Sequence, residues 1–373
     1  MSIAATVILI VGVYALLLSI SNLIALRRQK PSHLEHDGPL VSVCIPARNE
    51  EANIANCVNS MRAQSYRNIE ILVLDDSSED RTAEIVKSIS AEDPRVRYIK
   101  GLPLQKGWKG KIYGMKQLLE TSRGEYLLFT DADTIHGPDS VAYGVAFAKK
   151  HDADLISGYP MQEINNYMAA TTVSAMVINT CLWMPLAIQK HIHSACFSMC
   201  IGQYLFMRRQ AMIDVGGFAP IRDQIADDVS LARMYSRAKK QVMFTDLKEH
   251  VSCRMYDRGA DAIKGISRSL LGVLPLPLAP LLGVAAAILL SLCLSGVFSI
   301  AWLVSGGWNP YALMMLTGTL LLRASWYSMA RFHGFRPVVA ASQIPVFLIT
   351  VFMFLSGLFR RRHGKVIWKG REV

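Results

Sequence analysis

Apolar and polar positions divide this chain into three regimes. Residues 3–26 form an apolar run broken only by Thr6, Ser19, Ser21 and Asn22 and followed at once by Arg27, Arg28 and Lys30. A helix of that length, rising about 1.5 Å per residue, reaches across a bilayer. From residue 40 onward, short apolar runs at 40–45, 69–74, 96–99, 125–130 and 154–157 predict buried strands. Segments of helical period at 50–63, 81–89, 111–121 and 139–149 lie between them. Strands alternating with helices imply an α/β fold, a parallel sheet with helices on both faces. Long apolar runs return at 270–304, 310–329 and 338–358.

The expected organisation is a transmembrane anchor at 1–28, a catalytic domain at 40–257, transmembrane or interfacial helices at 266–358 and a basic tail at 359–373. Positive charge placed after the first apolar run, instead of before it, indicates a retained anchor and puts the chain beyond Arg27 on the cytoplasmic side. The apolar stretch at about 168–188 tempts a membrane reading, but a crossing there would split the acidic residues described below across the membrane. It is therefore expected to lie in the interface or to pack on the membrane domain. Three single crossings in 270–358 would leave the tail outside; a hairpin or re-entrant segment at 270–304, helped by Pro275, Pro277 and Pro280, returns it to the cytoplasm. The expected location is the inner membrane, multi-pass, with the catalytic domain cytoplasmic.

The formal net charge of +11 changes this picture little. Arg360, Arg361, Arg362 and Lys365 flank an apolar segment, and an anionic membrane surface accounts for them better than a nucleic acid does. Seven cysteines, an odd number in a chain whose polar part faces the cytoplasm, read as free thiols.

Sheets of this kind place ligands at the carboxyl ends of their strands. The first strand is followed by Ala47-Arg48-Asn49-Glu50, the second by Asp75-Asp76-Ser77-Ser78 and the fourth by Asp131-Ala132-Asp133. Two carboxylates one residue apart, Asp131 and Asp133, can share Mg2+ or Mn2+ with a diphosphate. Asp75 and Asp76 either cap the next helix or accept a nucleobase N–H. Asp227 and Asp228 open a helical pattern, so either they favour its N-terminus or one of them is a general base. In Lys106-Gly107-Trp108-Lys109-Gly110-Lys111, glycines and ammonium groups suit a diphosphate, with a solvated basic loop as the alternative. His191, His193, Cys196 and Cys200 do not match a common zinc spacing.

Taken together, Pro46-Ala47-Arg48-Asn49-Glu50, Asp75-Asp76-Ser77-Ser78, Lys111, Asp131-Ala132-Asp133, Gly202-Gln203, Gly216-Gly217-Phe218 and Asp227-Asp228 resemble the family 2 glycosyltransferases. The resemblance covers about residues 40–257. It implies a GT-A nucleotide-sugar (Rossmann-like) fold, with Asp76 at the nucleobase, Asp131 and Asp133 at the metal and diphosphate, and Asp228 as base of an inverting displacement. Pro46, Arg48, Glu50, Asp75, Lys111, Gln203 and Asp227 join the substrate- and nucleotide-binding set. Asp227 stands where the family pattern has Glu.

The Gln-x-x-Arg-Trp motif of polymerising synthases is replaced by Cys253-Arg254-Met255-Tyr256, which favours transfer of one or a few sugars, with Arg254 placing the acceptor or a phosphate. The layout, with its Trp368-Lys369-Gly370-Arg371 tail, resembles bacterial carotenoid- and hopanoid-associated membrane glycosyltransferases. The implied partners are a nucleotide-sugar donor, UDP-linked, and a lipid or polyisoprenoid acceptor. A processive synthase and a non-catalytic membrane subunit or nucleotide-sugar sensor are the alternatives.

Overall fold

A computed structural model describes residues 2–224, 226–273, 294–305, 308–363, 367–368 and 371–372. The chain divides into two compact units. One comprises Arg27–Glu163, Ile188–Met255 and Ile367–Val373; the other comprises Met1–Leu26, Ile164–Ala187 and Tyr256–Val366.

The first unit is built on a seven-stranded sheet. Its strands are β1 (Val41–Ala47), β2 (Ile69–Asp75), β3 (Val96–Lys100), β4 (Tyr126–Phe129), β6 (Leu155–Tyr159), β8 (Leu205–Arg208) and β9 (Val242–Asp246), in the order β3-β2-β1-β4-β8-β6-β9. A second sheet orders β5 (Thr134–His136), β10 (Val251–Cys253) and β7 (Met161–Gln162). Each strand expected from the apolar runs is present. The expectation of an all-parallel sheet is corrected: β8 runs antiparallel to both β4 and β6, so the sheet is mixed.

Side chains alternate across β1, so Val41, Val43 and Ile45 enter one core and Cys44 the other. Helices α2 (Ile54–Arg62), α3 (Thr82–Glu92) and α5 (Ser140–His151) cover the first face. Helices α4 (Gly110–Thr121), α7 (Arg209–Asp214) and α8 (Asp227–Arg237) cover the second. Burial on both faces explains why these strands read as continuous apolar runs. Pro46 is tolerated in a central strand because pairing with β4 ends at Cys44↔Phe129, so its missing N–H interrupts no ladder bond on that side.

The second unit is helical. Its N-terminal helix α1 (Ser2–Gln29) buries Ala5, Ile8, Gly12, Ala15, Ser19, Asn22 and Leu26, a seam that steps alternately by three and four residues, as in a coiled coil. The other faces expose Ile3, Val7, Ile10, Leu17, Ile20 and Ile24. Apart from Ile8 and Leu26 the inward residues are small or polar, while large apolar ones point out, the arrangement that suits helices in lipid. At Gly12 an added Cβ would lie 2.2 Å from the Gly318 carbonyl oxygen, so the close crossing of α1 with the helix Pro310–Phe332 requires glycine.

The apolar stretch expected at 168–188 forms helix α6 (Tyr167–Trp183), followed by a 3-10 turn at Leu186–His191. Asn22 ties off its end, with Nδ2 donating to the carbonyls of Cys181 (2.7 Å) and Met184 (2.8 Å) and Oδ1 accepting from Leu186 N (2.9 Å). Helix α9 (Gly259–Val273) and the helices Pro310–Phe332 and Gln343–His363 complete the described part. Among the described residues, α1 alone is long and apolar enough to cross a membrane; Tyr167–Ile178, Leu294–Ser305 and Gln343–Met353 are shorter apolar helices. Most of the hairpin expected at 270–304, and the side chains of the basic tail, lie outside the described residues.

Replacing Asn22 by Leu removes three hydrogen bonds from the end of α6, which is expected to cost about 1–3 kcal/mol. Thermal unfolding of the detergent-solubilised chain measures this; an unchanged midpoint would show that the end of α6 is satisfied without Asn22.

Candidate functional site

The ends of β2, β1 and β4 are neighbours in the sheet, with Asp75 opposite Ala47 and Phe129 opposite Cys44. The residues leaving them therefore line one crevice. Two loops are held there in left-handed backbone, Asn49 (φ 51°) and Ser77 (φ 57°), a conformation that persists only when neighbours enforce it. Those neighbours are reciprocal hydrogen bonds. Asn49 N donates to Ser78 Oγ (3.0 Å), Glu79 N to Asn49 Oδ1 (2.8 Å), and Glu50 N to Thr82 Oγ1 (2.8 Å).

Arg48 is spent on the same frame. Its Nη1 donates to the carbonyls of Asp76 (2.7 Å) and Ser77 (2.9 Å), and Nη2 pairs with Glu79 at 3.5 Å. Asp75 is buried, accepting from Ser78 N (3.0 Å) and from the Tyr98 hydroxyl (3.2 Å), so its carboxylate closes the turn in the manner of a cap. Asp76, the next residue, is half-buried at the rim. Glu50 Oε2 accepts from Asn53 Nδ2 at 3.1 Å, ahead of α2.

The acidic floor lies at the end of β4. The turn carrying Asp131 and Asp133 is fixed from several sides: Thr134 N donates to Asp131 O (3.2 Å), the Cys57 thiol reaches the same carbonyl (3.6 Å), and Thr130 Oγ1 donates to Gln203 O (2.9 Å). His136, buried and held well under the ordinary imidazole range, at about 3, by that burial, contacts Thr130 Oγ1 (2.9 Å) and Ser140 Oγ (3.1 Å) as a neutral ring. Behind the turn, Gly216 (φ 89°) and Gly217 (φ 65°) end α7 so that Phe218 packs edge-on against Phe129, with centroids 5.3 Å apart.

Lys111, in the first turn of α4, brings the acids together. Its Nζ lies 2.7 Å from Asp131 Oδ1 and 3.4 Å from Asp227 Oδ2. Burial works to discharge the ammonium, but Asp131 first, then Asp227 and Asp228, overcome it and hold Lys111 above the ordinary lysine range. Asp227 Oδ2 is buried and has no hydrogen-bond partner beyond this long ion pair.

Asp228 Oδ1 accepts from Val229 N (2.8 Å) and Oδ2 from Gly202 N (3.2 Å). Its carboxyl is pushed up to about 7, by burial first and by Asp227 second, with Lys111 and the Val229 amide opposing. Water reaches these carboxylates from the open side, Asp131 being 31% and Asp227 17% exposed, while protein atoms surround them on the others. That recess supplies the desolvation.

Several expected residues stand elsewhere. In the Gly-rich stretch, Lys106 is exposed and Lys109 flanks the start of α4, its N–H donating to Arg222 O (2.8 Å), so Lys111 alone of the three enters the acidic floor. Gln203 is buried, with Nε2 3.2 Å from Cys253 Sγ and Oε1 unpartnered. Arg254 is exposed just after β10. Among the described residues no group of three His, Cys, Asp or Glu is gathered as a metal shell, and His191, His193, Cys196 and Cys200 form none. The six described cysteines are free thiols.

Sequence reasoning underweighted Gly202. A Cβ there would meet Lys111 Nζ at 3.0 Å and Asp131 Oδ2 at 3.4 Å, so the bare backbone leaves room for that ion pair. Its place beside Gln203 in the motif was the available signal.

The sequence profile of "Glycosyl transferase family 2" matches residues 42–229. A 4,4'-diaponeurosporenoate glycosyltransferase of Staphylococcus haemolyticus is 28% identical over 226 residues, covering 59% of this chain and 57% of that protein. A GalNAc(5)-diNAcBac-PP-undecaprenol beta-1,3-glucosyltransferase of Campylobacter jejuni is 30% identical over 96 residues, 26% of this chain and 30% of that one. The chain thus spans less than two thirds of either relative. Among solved structures, a mannosyltransferase of Pyrobaculum calidifontis, in complex with GDP-Man and Mn2+, superimposes with a TM-score of 0.54 over 95% of this chain and 99% of that one, at 15% identity, a likeness of fold. With the profile matching half of the chain over the very segment that builds the acidic crevice, the chain belongs to glycosyl transferase family 2 and has the GT-A fold.

Proposed function

We propose that the chain is an inverting, metal-dependent glycosyltransferase that moves a sugar from a UDP-linked donor to a lipid or polyisoprenoid acceptor at the cytoplasmic face of a membrane. The observation that carries this reading is the cluster in which Lys111 joins Asp131 and Asp227 beside an Asp228 whose carboxyl is pushed up to about 7. A general base works best when its pKa lies near the operating pH, and Asp228 meets that condition.

In the proposed reaction Asp228 takes the proton from the acceptor hydroxyl as that oxygen attacks the anomeric carbon from the face opposite the nucleotide. The bond from that carbon to the diphosphate breaks in the same displacement, and the nucleoside diphosphate leaves. Lys111, drawn towards a bound diphosphate, releases part of its hold on Asp131. Asp76, on a loop fixed by Arg48, accepts from a nucleobase N–H, Gln203 belongs to the substrate-binding set, and Arg254 places the acceptor or a phosphate.

The crevice offers hard oxygen donors in Asp131 and Asp133, and Asp227 Oδ2 beside Lys111 is buried without a hydrogen bond; this chemistry suits Mg2+ or Mn2+ completed by water and diphosphate oxygens. When bound there by Asp131 and Asp133, such an ion supplies Lewis acidity that neutralises the leaving diphosphate. Mn2+ is the ion in the Pyrobaculum mannosyltransferase structure. The outward-facing apolar residues of α1, followed by Arg27, Arg28 and Lys30, support a membrane anchor with a cytoplasmic catalytic unit, and the shorter apolar helices Leu294–Ser305 and Gln343–Met353 support a membrane or interfacial domain. The two lipid-related relatives support the acceptor class.

Nucleotide release by the purified chain, with a panel of UDP-, GDP- and TDP-sugars, Mn2+ or Mg2+ and a lipid extract, tests the reaction. One donor is expected to give release together with a new glycolipid, abolished by chelator. Asp228→Asn is expected to lower kcat/KM about 10^2–10^4-fold, the usual contribution of a general base; undiminished turnover would remove Asp228 from that role.

The same carboxyl sets the pH profile. Below its pKa it is protonated and cannot accept a proton, so kcat/KM should rise as pH increases through about 7. A divalent cation nearby favours the ionised form and should move that limb to lower pH. The stability linkage has the opposite sense: a carboxyl raised in the folded state contributes fully below its unfolded pKa of about 3.9, and that contribution is lost as pH climbs through the folded value.

Gly202→Ala crowds only the flexible end of Lys111 and the Asp131 carboxylate. The fold should survive with a nearly unchanged melting temperature, while displacement of the ion pair lowers turnover by about tenfold or more. Wild-type turnover in this variant would show that the close approach is not functional.

A further inference from the structure

The buried ring of His136 is joined to the acidic floor by a chain of hydrogen bonds that the proposed reaction does not use. Strand pairing of His136 with Val251, and donation of its N–H to Ser60 Oγ (3.1 Å), fix its backbone. On one side Nε2 lies 2.9 Å from Thr130 Oγ1, which is itself 2.9 Å from Gln203 O and a longer 3.5 Å from Asp131 O. On the other, Nδ1 lies 3.1 Å from Ser140 Oγ, which is 3.0 Å from Gln64 Oε1.

Four short contacts thus share three protons, one on each hydroxyl and one on a ring that burial keeps neutral. The direction of the chain is decided at the ring. With the proton on Nδ1, the ring donates to Ser140, Ser140 donates to Gln64, and Thr130 turns its hydroxyl to Nε2, leaving Gln203 O against an oxygen with no hydrogen between them. With the proton on Nε2, the ring donates to Thr130, Thr130 to Gln203 O and Ser140 to Nδ1, and the contact without a hydrogen is the one at Gln64 Oε1.

The two ends are not equivalent. Gln64 is held in one orientation, Nε2 donating to Gly137 O (2.7 Å) and Ser60 O (3.1 Å), and its Oε1 keeps the Val141 N–H at 3.0 Å in either case. Among the described residues the donor at Gln203 O is the Thr130 hydroxyl, and Gln203 is 3% exposed. An unmet buried carbonyl is the costlier outcome, so the proton belongs on Nε2.

We propose that His136, as its Nε2–H tautomer, is a positioning residue for the transfer reaction: it turns the Thr130 hydroxyl onto Gln203 O and so fixes the Gly202-Gln203 segment. That segment matters because Gly202 N donates to Asp228 Oδ2 (3.2 Å) and Gly202 leaves room for the ion pair of Lys111 with Asp131. His136 therefore acts through Thr130 on the amide that holds the proposed base. The inference rests on the proposed function, in which Asp228 is that base.

NMR of the purified chain labelled with 15N-histidine reads the tautomer, through the couplings of the ring nitrogens to the carbon-bound ring protons. His136 is assigned among the nine histidines by the signal lost in His136→Gln. An Nε2–H ring is expected, and an Nδ1–H ring overturns the inference. Turnover reads the role. Thr130→Val, which keeps the shape and removes the hydroxyl, is expected to lower kcat about tenfold with KM for the nucleotide sugar within about twofold, and Thr130→Ser to recover most of the loss. Adding His136→Asn to Thr130→Val should lower kcat no further, because one residue acts through the other. Unchanged kcat in Thr130→Val, or losses that multiply in the double variant, overturns the positioning role alone. A wild-type chain that turns over no donor overturns the proposed reaction and this role with it.

Discussion

The Lys111 ammonium, 2.7 Å from Asp131 Oδ1 and 3.4 Å from Asp227 Oδ2, is the contact on which the crevice depends. Asp131, Asp227 and Asp228 come from two remote parts of the chain, and three carboxylates in a recess repel one another strongly where the surroundings screen them poorly. One cation beside them lowers that repulsion without cancelling it. The residue shows in Asp228, which stays protonated up to about 7, and in Asp227 Oδ2, buried without a hydrogen bond. An acidic site left short of positive charge is one prepared to receive more of it, and in the proposed reaction a divalent ion bound with a nucleotide diphosphate would supply that charge.

Everything around the cluster works to hold these groups in place before substrate arrives. The left-handed residues Asn49 and Ser77 are locked by each other's loops, Arg48 is committed to two carbonyls, and Gly216-Gly217 lets Phe218 pack behind the Asp131 turn. Rigid loops keep the carboxylates from relaxing apart, so their mutual strain remains available to the ligand. In the helical unit the same economy of space appears at Gly12 and Gly318, where two backbones touch, and at Asn22, whose single amide satisfies three backbone groups.

Much of this was legible in the sequence. Strands buried on both faces write themselves as unbroken apolar runs, and the polar residues just after them mark the edge of the crevice, so Asp76 and Asp131 could be placed there without coordinates, while Lys111 was named from its Gly-rich stretch and the family resemblance. Asp228 was legible as a helix-opening acid. The reversal of β8 was not, because the direction of a four-residue strand is set by what it packs between, not by its own pattern. The local motif put Arg48 with the ligand set, and the two carbonyls it reaches, those of Asp76 and Ser77, were not legible from it. The reach of Lys111, as opposed to Lys106 and Lys109, depends on where α4 begins. Gly202 matters through atoms that it lacks, a role visible only once its neighbours are placed.

The most direct test of the central claim is calorimetric titration of Mn2+ into the purified chain with UDP present, repeated across pH 6 to 8, bracketing the value of about 7 at Asp228. If Lys111 leaves the acids short of positive charge, binding should release protons at the low end of that range, tighten as pH rises and be lost in Asp131→Asn. Binding of equal strength at every pH, with no proton release and no effect of Asp131→Asn, would contradict the account.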